Sequence, residues 1–467
     1  MPETLMTRQV YFAEQALFPQ GWKTNVRIEV ENGLIKGLSS DASAEGATLL
    51  SGPTLPSLVN LHSHAFQRAM AGMAEVSLNP NDSFWSWRDL MYKMVHKLTP
   101  DDVRIIATQL YIDMLKAGYT QVAEFNYLHH DPKGRAYNQL NEMGLQLAQA
   151  GDQAGLGVTL LPVLYSHSGF GGQTPNEGQA RFINSTEQYL ALHQASQASL
   201  AGHKLHKMGG CFHSLRAVTQ GQIQDVMGAL DKTSNKASNK TMPIHIHIAE
   251  QQKEVRDSIS FSGQRPVQWL ANEIGLDERW CLVHATHLDQ NEVTAIAKSG
   301  AVAGLCPTTE ANLGDGIFPG VDYIAQGGRW GIGSDSHVSL SLVEELRTLE
   351  YSQRFRDEQR NRLYTEGEHH VGDYLFQAAR QGGNQACQVA LGLELGNRAD
   401  FMVLDNRHPF IAASKNEDLL NRWLFATNEN LIRHVYVAGN QVINDFKHQA
   451  ETQSNLEFTA LLKRLFN

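Results

Sequence analysis

The residues best suited to chemistry fall at the ends of apolar runs. The run Leu58-Val59-Asn60-Leu61 closes on His62-Ser63-His64. In a strand, positions i and i+2 face the same way, so the two imidazoles would converge at its end. Imidazole nitrogens suit zinc and related divalent ions. A second run closes on His245-Ile246-His247-Ile248-Ala249-Glu250, and either histidine has the placement of a ligand. Glu250 falls just past the run, where a carboxylate reaches a metal-bound water without ligating the metal. A third run ends Val283-His284-Ala285-Thr286-His287, and a fourth ends Gly331-Ile332-Gly333-Ser334-Asp335-Ser336-His337. Each residue alone has an ordinary structural use, as a hydrogen-bonded strand histidine or a turn-capping aspartate. Together at strand ends they point to a divalent-metal site.

Such convergence needs a fold that gathers strand ends. Eight short apolar runs alternate with helical patterns: Leu58–Leu61, Thr120–Phe125, Gly157–Leu164, Met208–Phe212, Ile244–Ile248, Cys281–Val283, Ala301–Leu305 and Trp330–Ile332. The helical patterns include Pro100–Ala117 and Tyr137–Ala154. Alternation predicts a parallel sheet, and eight units predict a closed (β/α)8 TIM-type barrel with its chemistry at the C-terminal strand ends. Before it, Gln9–Phe12, Val26–Glu31, Leu34–Leu38 and Thr48–Leu50 read as short strands. Ala399–Leu404 and His434–Val442 return to strand character. Both chain ends are therefore expected to build one small composite β-sandwich domain. The expected division is 1–57 with 394–446 for that domain, 58–393 for the barrel, and 447–467 for a C-terminal helix, the helix itself reading over Leu456–Phe466 on the surface. Leu340–Arg362 reads as one long amphipathic helix outside the barrel, and Asp231–Lys240 as a polar solvent loop.

Composition narrows the function classes. The chain has 467 residues, enough for a large core, and a net charge of −10 with no basic cluster, which argues against nucleic acid and anionic membrane partners. No apolar run approaches the roughly 18 residues of a membrane span. The first residues lack the basic and apolar regions of a signal peptide. Cys211, Cys281, Cys306 and Cys387 form no C-x-x-C pair and read as buried free thiols, consistent with the cytoplasm.

At this point the sequence resembles the amidohydrolase superfamily over essentially its full length. The resemblance is carried by His62-Ser63-His64, His247-Ile248-Ala249-Glu250, His284, Asp335 and the late segment Gly396-Asn397-Arg398-Ala399-Asp400-Phe401-Met402-Val403-Leu404-Asp405. It implies His62, His64, His247 and Asp335 as metal ligands, Glu250 as proton shuttle and His284 as contact to the metal-bound water, with Asp335 also catalytic. It leaves His245 in the second shell or the barrel core. Binuclear members carry a carboxylated lysine at the fourth strand end. Here that position reads Gly210-Cys211-Phe212-His213-Ser214, so one divalent metal is implied, zinc first, with iron or manganese as alternatives. Leu55-Pro56-Ser57 departs from the Pro-Gly usual in related enzymes, which affects a turn only.

Within the superfamily, the barrel-loop motifs are similar to those of the formimidoylglutamate deiminase family. They are 60–72 (NLHSHAFQRAMAG), Phe84-Trp85-Ser86-Trp87-Arg88, Glu124-Phe125-Asn126-Tyr127-Leu128-His129, Phe212-His213-Ser214-Leu215-Arg216-Ala217-Val218 and 305–316 (LCPTTEANLGDG). That family's substrate has two carboxylates, and guanidinium clamps carboxylate bidentately. Arg88 and Arg216 are assigned to them, with Gln67, Tyr127 and His213 as further hydrogen-bonding groups. The resemblance implies hydrolytic deimination of N-formimino-L-glutamate to N-formyl-L-glutamate and ammonia in histidine degradation, by a homodimer in the cytoplasm. His129-His130, His369-His370 and His337 are expected to be surface or supporting groups. A nucleobase-type ring deaminase, a cyclic-amide hydrolase and a non-catalytic assembly protein are the rivals. The two arginines, the missing lysine and the intact ligand set weigh against them in turn.

Overall fold

The computed structural model describes residues 8–76, 84–233 and 242–466. The N-terminal heptad, most of the polar stretch 231–240 and the side chains of Trp85 and Asp89 lie outside that description. Eight parallel strands form the barrel wall: Leu58–Ser63, Tyr119–Asn126, Gly157–Leu164, Gly210–Ser214, Ile244–Ile248, Trp280–His284, Val302–Leu305 and Arg329–Ile332. They are laddered in chain order from first to eighth. The fourth begins two residues later than expected, because Lys207–Met208 forms a separate short strand on the third.

The first and eighth strands meet without a regular ladder. One parallel bridge, Ser63 to Asp335, joins them. Around it the Asp335 N–H donates to His62 O at 3.0 Å and the His64 N–H to Asp335 O at 3.3 Å. One turn down, the Asn60 amide donates to Ser334 Oγ at 2.6 Å and accepts from the Ser334 N–H at 3.0 Å. The approach is close: a Cβ on Gly333 would lie 2.7 Å from His62 N.

A helix over Val371–Cys387 covers this seam. The sequence reading assigned nothing there. Its Gly382-Gly383 pair removes the Cβ atoms that would hold it off the wall, since a Cβ at Gly382 would lie 1.9 Å from Trp330 O and one at Gly383 2.9 Å from Val59 Cβ. His245, buried, donates from Nε2 to Ala386 O at 2.7 Å, so it is a barrel-core group that fastens the helix. The helix expected over Leu340–Arg362 is shorter, Leu342–Asp357, ending where Glu358 turns left-handed at φ 52°.

The chain ends share one nine-stranded sheet. Arg8–Phe18, Gly21–Glu31 and Leu34–Ser39 form an antiparallel meander, and Thr54–Pro56 pairs antiparallel with Phe401–Leu404, which joins the two ends. Tyr11, Val26, Ile28, Phe401, Val403 and Tyr436 give this sheet its own apolar core. Arg398 ties it to the barrel. Its guanidinium pairs with buried Asp400 at 2.6 Å and reaches Gln121 Oε1 at 2.9 Å and Thr120 O at 3.1 Å on the second strand. The last helix, Glu451–Phe466, starts five residues before its expected start and packs on the helix Pro100–Lys116, where Arg464 pairs with Asp102. All four cysteines are buried and free. Among the described residues no helix is long and apolar enough to cross a membrane.

Gly382→Ala forces the seam helix off the eighth strand and should destabilise the protein by about 1–3 kcal/mol, the usual cost of overpacking. Thermal unfolding of the variant beside the unsubstituted chain measures this, and an unchanged midpoint would contradict the packing described.

Candidate active site

The polar strand ends meet at one mouth. His62 and His64 come from the first strand, His247 from the fifth and Asp335 from just past the eighth. His247 Nε2 lies 3.0 Å from His62 Nε2 and 3.3 Å from His64 Nε2. Asp335 Oδ1 lies 3.3 Å from His62 Nε2 and 3.4 Å from His64 Nε2. Four donors held about 2.0–2.1 Å from a common tetrahedral centre are roughly 3.3–3.4 Å apart. The observed separations therefore fit a divalent ion.

Tautomers agree with that fit. His64 donates from Nδ1 to Phe125 O at 2.9 Å, and His247 from Nδ1 to His213 O at 3.0 Å. Each neutral ring then turns its Nε2 lone pair inward, as outer hydrogen bonds to ligating histidines require. His62 Nδ1 has no partner among the described residues. Burial, the largest cause in each case, depresses all three imidazoles, His62 to about 3, so they stand unprotonated. Burial alone would raise Asp335, but His62, His284 and His64 hold its carboxyl well below the usual range. A second cluster, Asp152, His203 and His206, lacks this chemistry. There the Val158 N–H donates to His206 Nδ1 at 3.1 Å, which leaves hydrogen on the Nε2 that faces Asp152 at 3.1 Å.

The backbone at the mouth is bent to aim these groups. Ala249, His284, Ala285, Asp335 and His337 all take positive φ, between 48° and 67°, a region non-glycine residues rarely occupy outside functional sites. His284 Nε2 lies 3.8 Å from Glu250 Oε1 and 3.9 Å from Asp335 Oδ2. Burial would lower its pKa, but Glu250, Glu310 and Asp335 outweigh it and lift it to about 10. Burial raises Glu250 to about 7, against the pull of His284 and Arg216.

Above lies a pocket lined by His64, Gln67, Arg88, Tyr127, His213, Arg216, His247, Glu250, His284 and Asp335. Every site residue expected from the sequence is thus on its wall except His62, which is fully buried beneath. Gln67 donates to Tyr127 Oη at 3.0 Å. Arg88 projects from the helix Phe84–Val95, its guanidinium 5.5 Å from the Tyr92 ring centroid. Arg216 follows the fourth strand, where the charges of Glu254 and Glu250 offset the cost of its burial. The His213 ring packs against Tyr165 at 4.1 Å between centroids. The fourth strand end carries His213 and Ser214 and no lysine.

The sequence reading gave no role to the carboxylate that holds the ligands. Glu124, buried, accepts from Ser63 Oγ and from the Ala65 N–H, both at 2.7 Å, and from Tyr111 Oη at 3.1 Å. It clamps the His-Ser-His turn from beneath. Its signal was its place in the quoted 124–129 motif, but no role was drawn from it. His337 is fully buried, with Nδ1 2.8 Å from Ser334 Oγ and Nε2 3.2 Å from Ser63 Oγ. Of the two alternatives expected for His129 and His130, surface or support, the structure takes the second: both are buried and donate to Val163 O and Ile183 O. His370 takes the Asn421 amide at 2.9 Å. Pocket residues Met91, Tyr92, Tyr165, Phe182 and Leu313 were not singled out either.

Comparison with known proteins places this geometry. The amidohydrolase family model matches residues 54–442. The chain belongs to the amidohydrolase family. Residues 8–50 match the N-terminal domain of formimidoylglutamate deiminase HutF. A formimidoylglutamate deiminase from Pseudomonas aeruginosa is 56% identical, covering 98% of this chain and 99% of that protein. A 5-methylthioadenosine/S-adenosylhomocysteine deaminase from Natronomonas pharaonis is 26% identical over 84% of this chain and 81% of that one. A crystal structure of an amidohydrolase from Brucella melitensis superposes with a TM-score of 0.92 at 42% identity, covering 98% and 100% of the two chains. An adenosine deaminase from Xanthomonas campestris with bound zinc shares the fold, with a TM-score of 0.81 at 19% identity over 98% of each chain.

The amidohydrolase site spans the seam, so an ion bound there stabilises barrel closure. At a free concentration 100 times its Kd, it should add about 2.7 kcal/mol to stability. Thermal unfolding with and without chelator measures this, and identical midpoints would show that no ion bridges the two strands.

Proposed function

We propose that this chain hydrolyses N-formimino-L-glutamate to N-formyl-L-glutamate and ammonia, as a step of histidine degradation; its 56%-identical Pseudomonas aeruginosa relative is a formimidoylglutamate deiminase. The observation that carries the reading is the pair Arg88 and Arg216 in the pocket that also holds Glu250, His284 and Asp335. Two guanidiniums suit a substrate with two carboxylates, whereas a nucleobase ring has no use for both. Gln67, Tyr127 and His213 supply the remaining polar contacts in this reading.

One zinc ion is the proposed cofactor, held by His62, His64, His247 and Asp335. When bound, it supplies a Lewis acid that brings the pKa of water toward about 7 and so provides hydroxide at neutral pH. The remaining steps belong to side chains. Arg88 and Arg216 fix the two carboxylates and so bring the formimino carbon over the strand ends. Glu250 takes a proton from the attacking water as the C–O bond forms. His284, charged between its carboxylates, donates from Nε2 toward the oxygen that gains negative charge. Glu250 returns that proton to the formimino nitrogen; Asp335 then takes the remaining hydroxyl proton of the adduct, which passes to the same nitrogen as C=O forms, the C–N bond breaks and ammonia leaves. The cytoplasmic location and the homodimer belong to the same proposal. The four free buried thiols support a reducing compartment.

Zinc-loaded protein mixed with N-formimino-L-glutamate should yield ammonia and N-formylglutamate; formamide and glutamate instead would refute the assigned leaving group. Glu250→Gln should retain its ion and lose about 10²–10⁴-fold in kcat. Full activity in that variant would remove Glu250 from the mechanism. Arg88→Met and Arg216→Met should each cost about 10–100-fold in kcat/KM, the worth of a charge-assisted hydrogen bond. Steady-state kinetics on the dicarboxylate read both, and an unmoved kcat/KM would exclude the residue from carboxylate binding.

A further inference from the structure

We infer that Glu310 is a positioning residue for His284, its carboxylate holding the ring's Nδ1–H so that Nε2 faces the reacting centre. The inference rests on the deimination reading above, which gives His284 its task. Glu310 is buried in the short helix Pro307–Leu313 that follows the seventh barrel strand. Its Oε1 lies 3.3 Å from His284 Nδ1 and accepts the Cys306 N–H at 2.8 Å. That N–H belongs to the residue capping the helix, so the carboxylate is anchored on its own first turn. The oxygen that accepts the Cys306 N–H is the one facing the ring, so it acts as an acceptor there and the hydrogen of the contact lies on Nδ1.

The ring needs such an anchor. His284 and Ala285 leave the sixth strand at φ 67° and 49°, so regular strand geometry no longer sets the direction of the side chain. The Glu310 contact fixes the ring from behind, with Nε2 at 3.8 Å from Glu250 and 3.9 Å from Asp335. The helix is in turn tied down at its far end, where the Asp315 N–H donates to Glu310 O at 2.9 Å and the Gln251 amide donates to Asp315 Oδ1. His284, Cys306 and Glu310 also lie close enough together to hold an ion. The oxygen that would serve one is already engaged by two N–H groups.

The test uses the full chain loaded with zinc, in the forms Glu310→Gln, Glu310→Asp, His284→Asn and the double variant His284→Asn/Glu310→Gln. Glutamine removes the negative charge that holds Nδ1–H and can turn an N–H toward it instead, so the ring loses its anchor and Nε2 its aim, which should lower kcat about 10–100-fold. KM and bound zinc should stay unchanged, and Glu310→Asp should recover part of the rate. Without substrate, ¹⁵N-histidine spectra should show an Nδ1–H signal that Glu310→Gln shifts and His284→Asn removes. The double variant should be no slower than His284→Asn alone. An unchanged kcat, a loss of zinc in step with activity, or additive losses in the double variant would each overturn the assignment. If the unsubstituted chain leaves N-formimino-L-glutamate untouched, the functional reading fails, while the spectra still decide whether Glu310 holds the Nδ1–H.

Discussion

The constraint on which the structure depends is closure between the first and eighth strands. Seven strand pairs of the barrel are held by ordinary ladders, but this one is held by a single bridge, two flanking backbone hydrogen bonds and the Asn60–Ser334 exchange. The donor set straddles that same junction, with His62 and His64 on one side and Asp335 on the other. The weakest part of the wall is therefore where chemistry is placed. A regular ladder there would leave no room for the left-handed turn at Asp335, whose φ of 48° points its carboxylate into the mouth. The polar chain from Glu124 through Ser63 and His337 to Ser334 supplies from side chains what the ladder lacks. Buried networks of this kind are specific because each member left unpaired would be costly.

Much of this was legible in the sequence. Eight apolar runs of strand length, separated by amphipathic stretches, require parallel strands with both faces covered, and their order is fixed by chain connectivity. The metal-type donors were visible because they stand at the ends of those runs, where a barrel gathers side chains. Strand and helix limits were less clear where the deciding forces are not local. Met208 lies in an apolar run, yet the wall strand starts at Gly210 because Lys207–Met208 pairs on the third strand alone. Glu358 ends a helix by taking a left-handed turn that its residue type does not announce.

The supporting carboxylates were illegible for a different reason. Glu124 and Glu310 look like ordinary acids in mixed stretches, and only three-dimensional placement reveals the N–H and O–H groups they satisfy. The seam helix escaped notice because Gly382-Gly383 lowers helix propensity. Those glycines are the price of close approach to Trp330 and Val59, so what reads as a helix breaker in isolation is what lets the helix dock. For His129 and His130 the sequence left surface and support open, because a histidine pair in a polar loop suits either; each ring donates to a backbone carbonyl that would otherwise be buried unpaired.

The shared sheet of the two chain ends has a bearing on how the protein comes into being. Thr54–Pro56 leave the ribosome early, yet their partner strand, Phe401–Leu404, is made roughly 350 residues later. At ~5–20 residues per second that interval is tens of seconds. During it the meander of residues 8–39 can pair within itself but holds Tyr11, Val26 and Ile28 uncovered by Phe401, Val403 and Tyr436. The entropic cost of closing so long a loop grows only logarithmically with its length, so the finished sheet is scarcely penalised. The burden is kinetic instead: a segment made hundreds of residues before its partner strands is among the last to find its place, and a nascent chain must keep an apolar sheet face from other partners until those strands arrive.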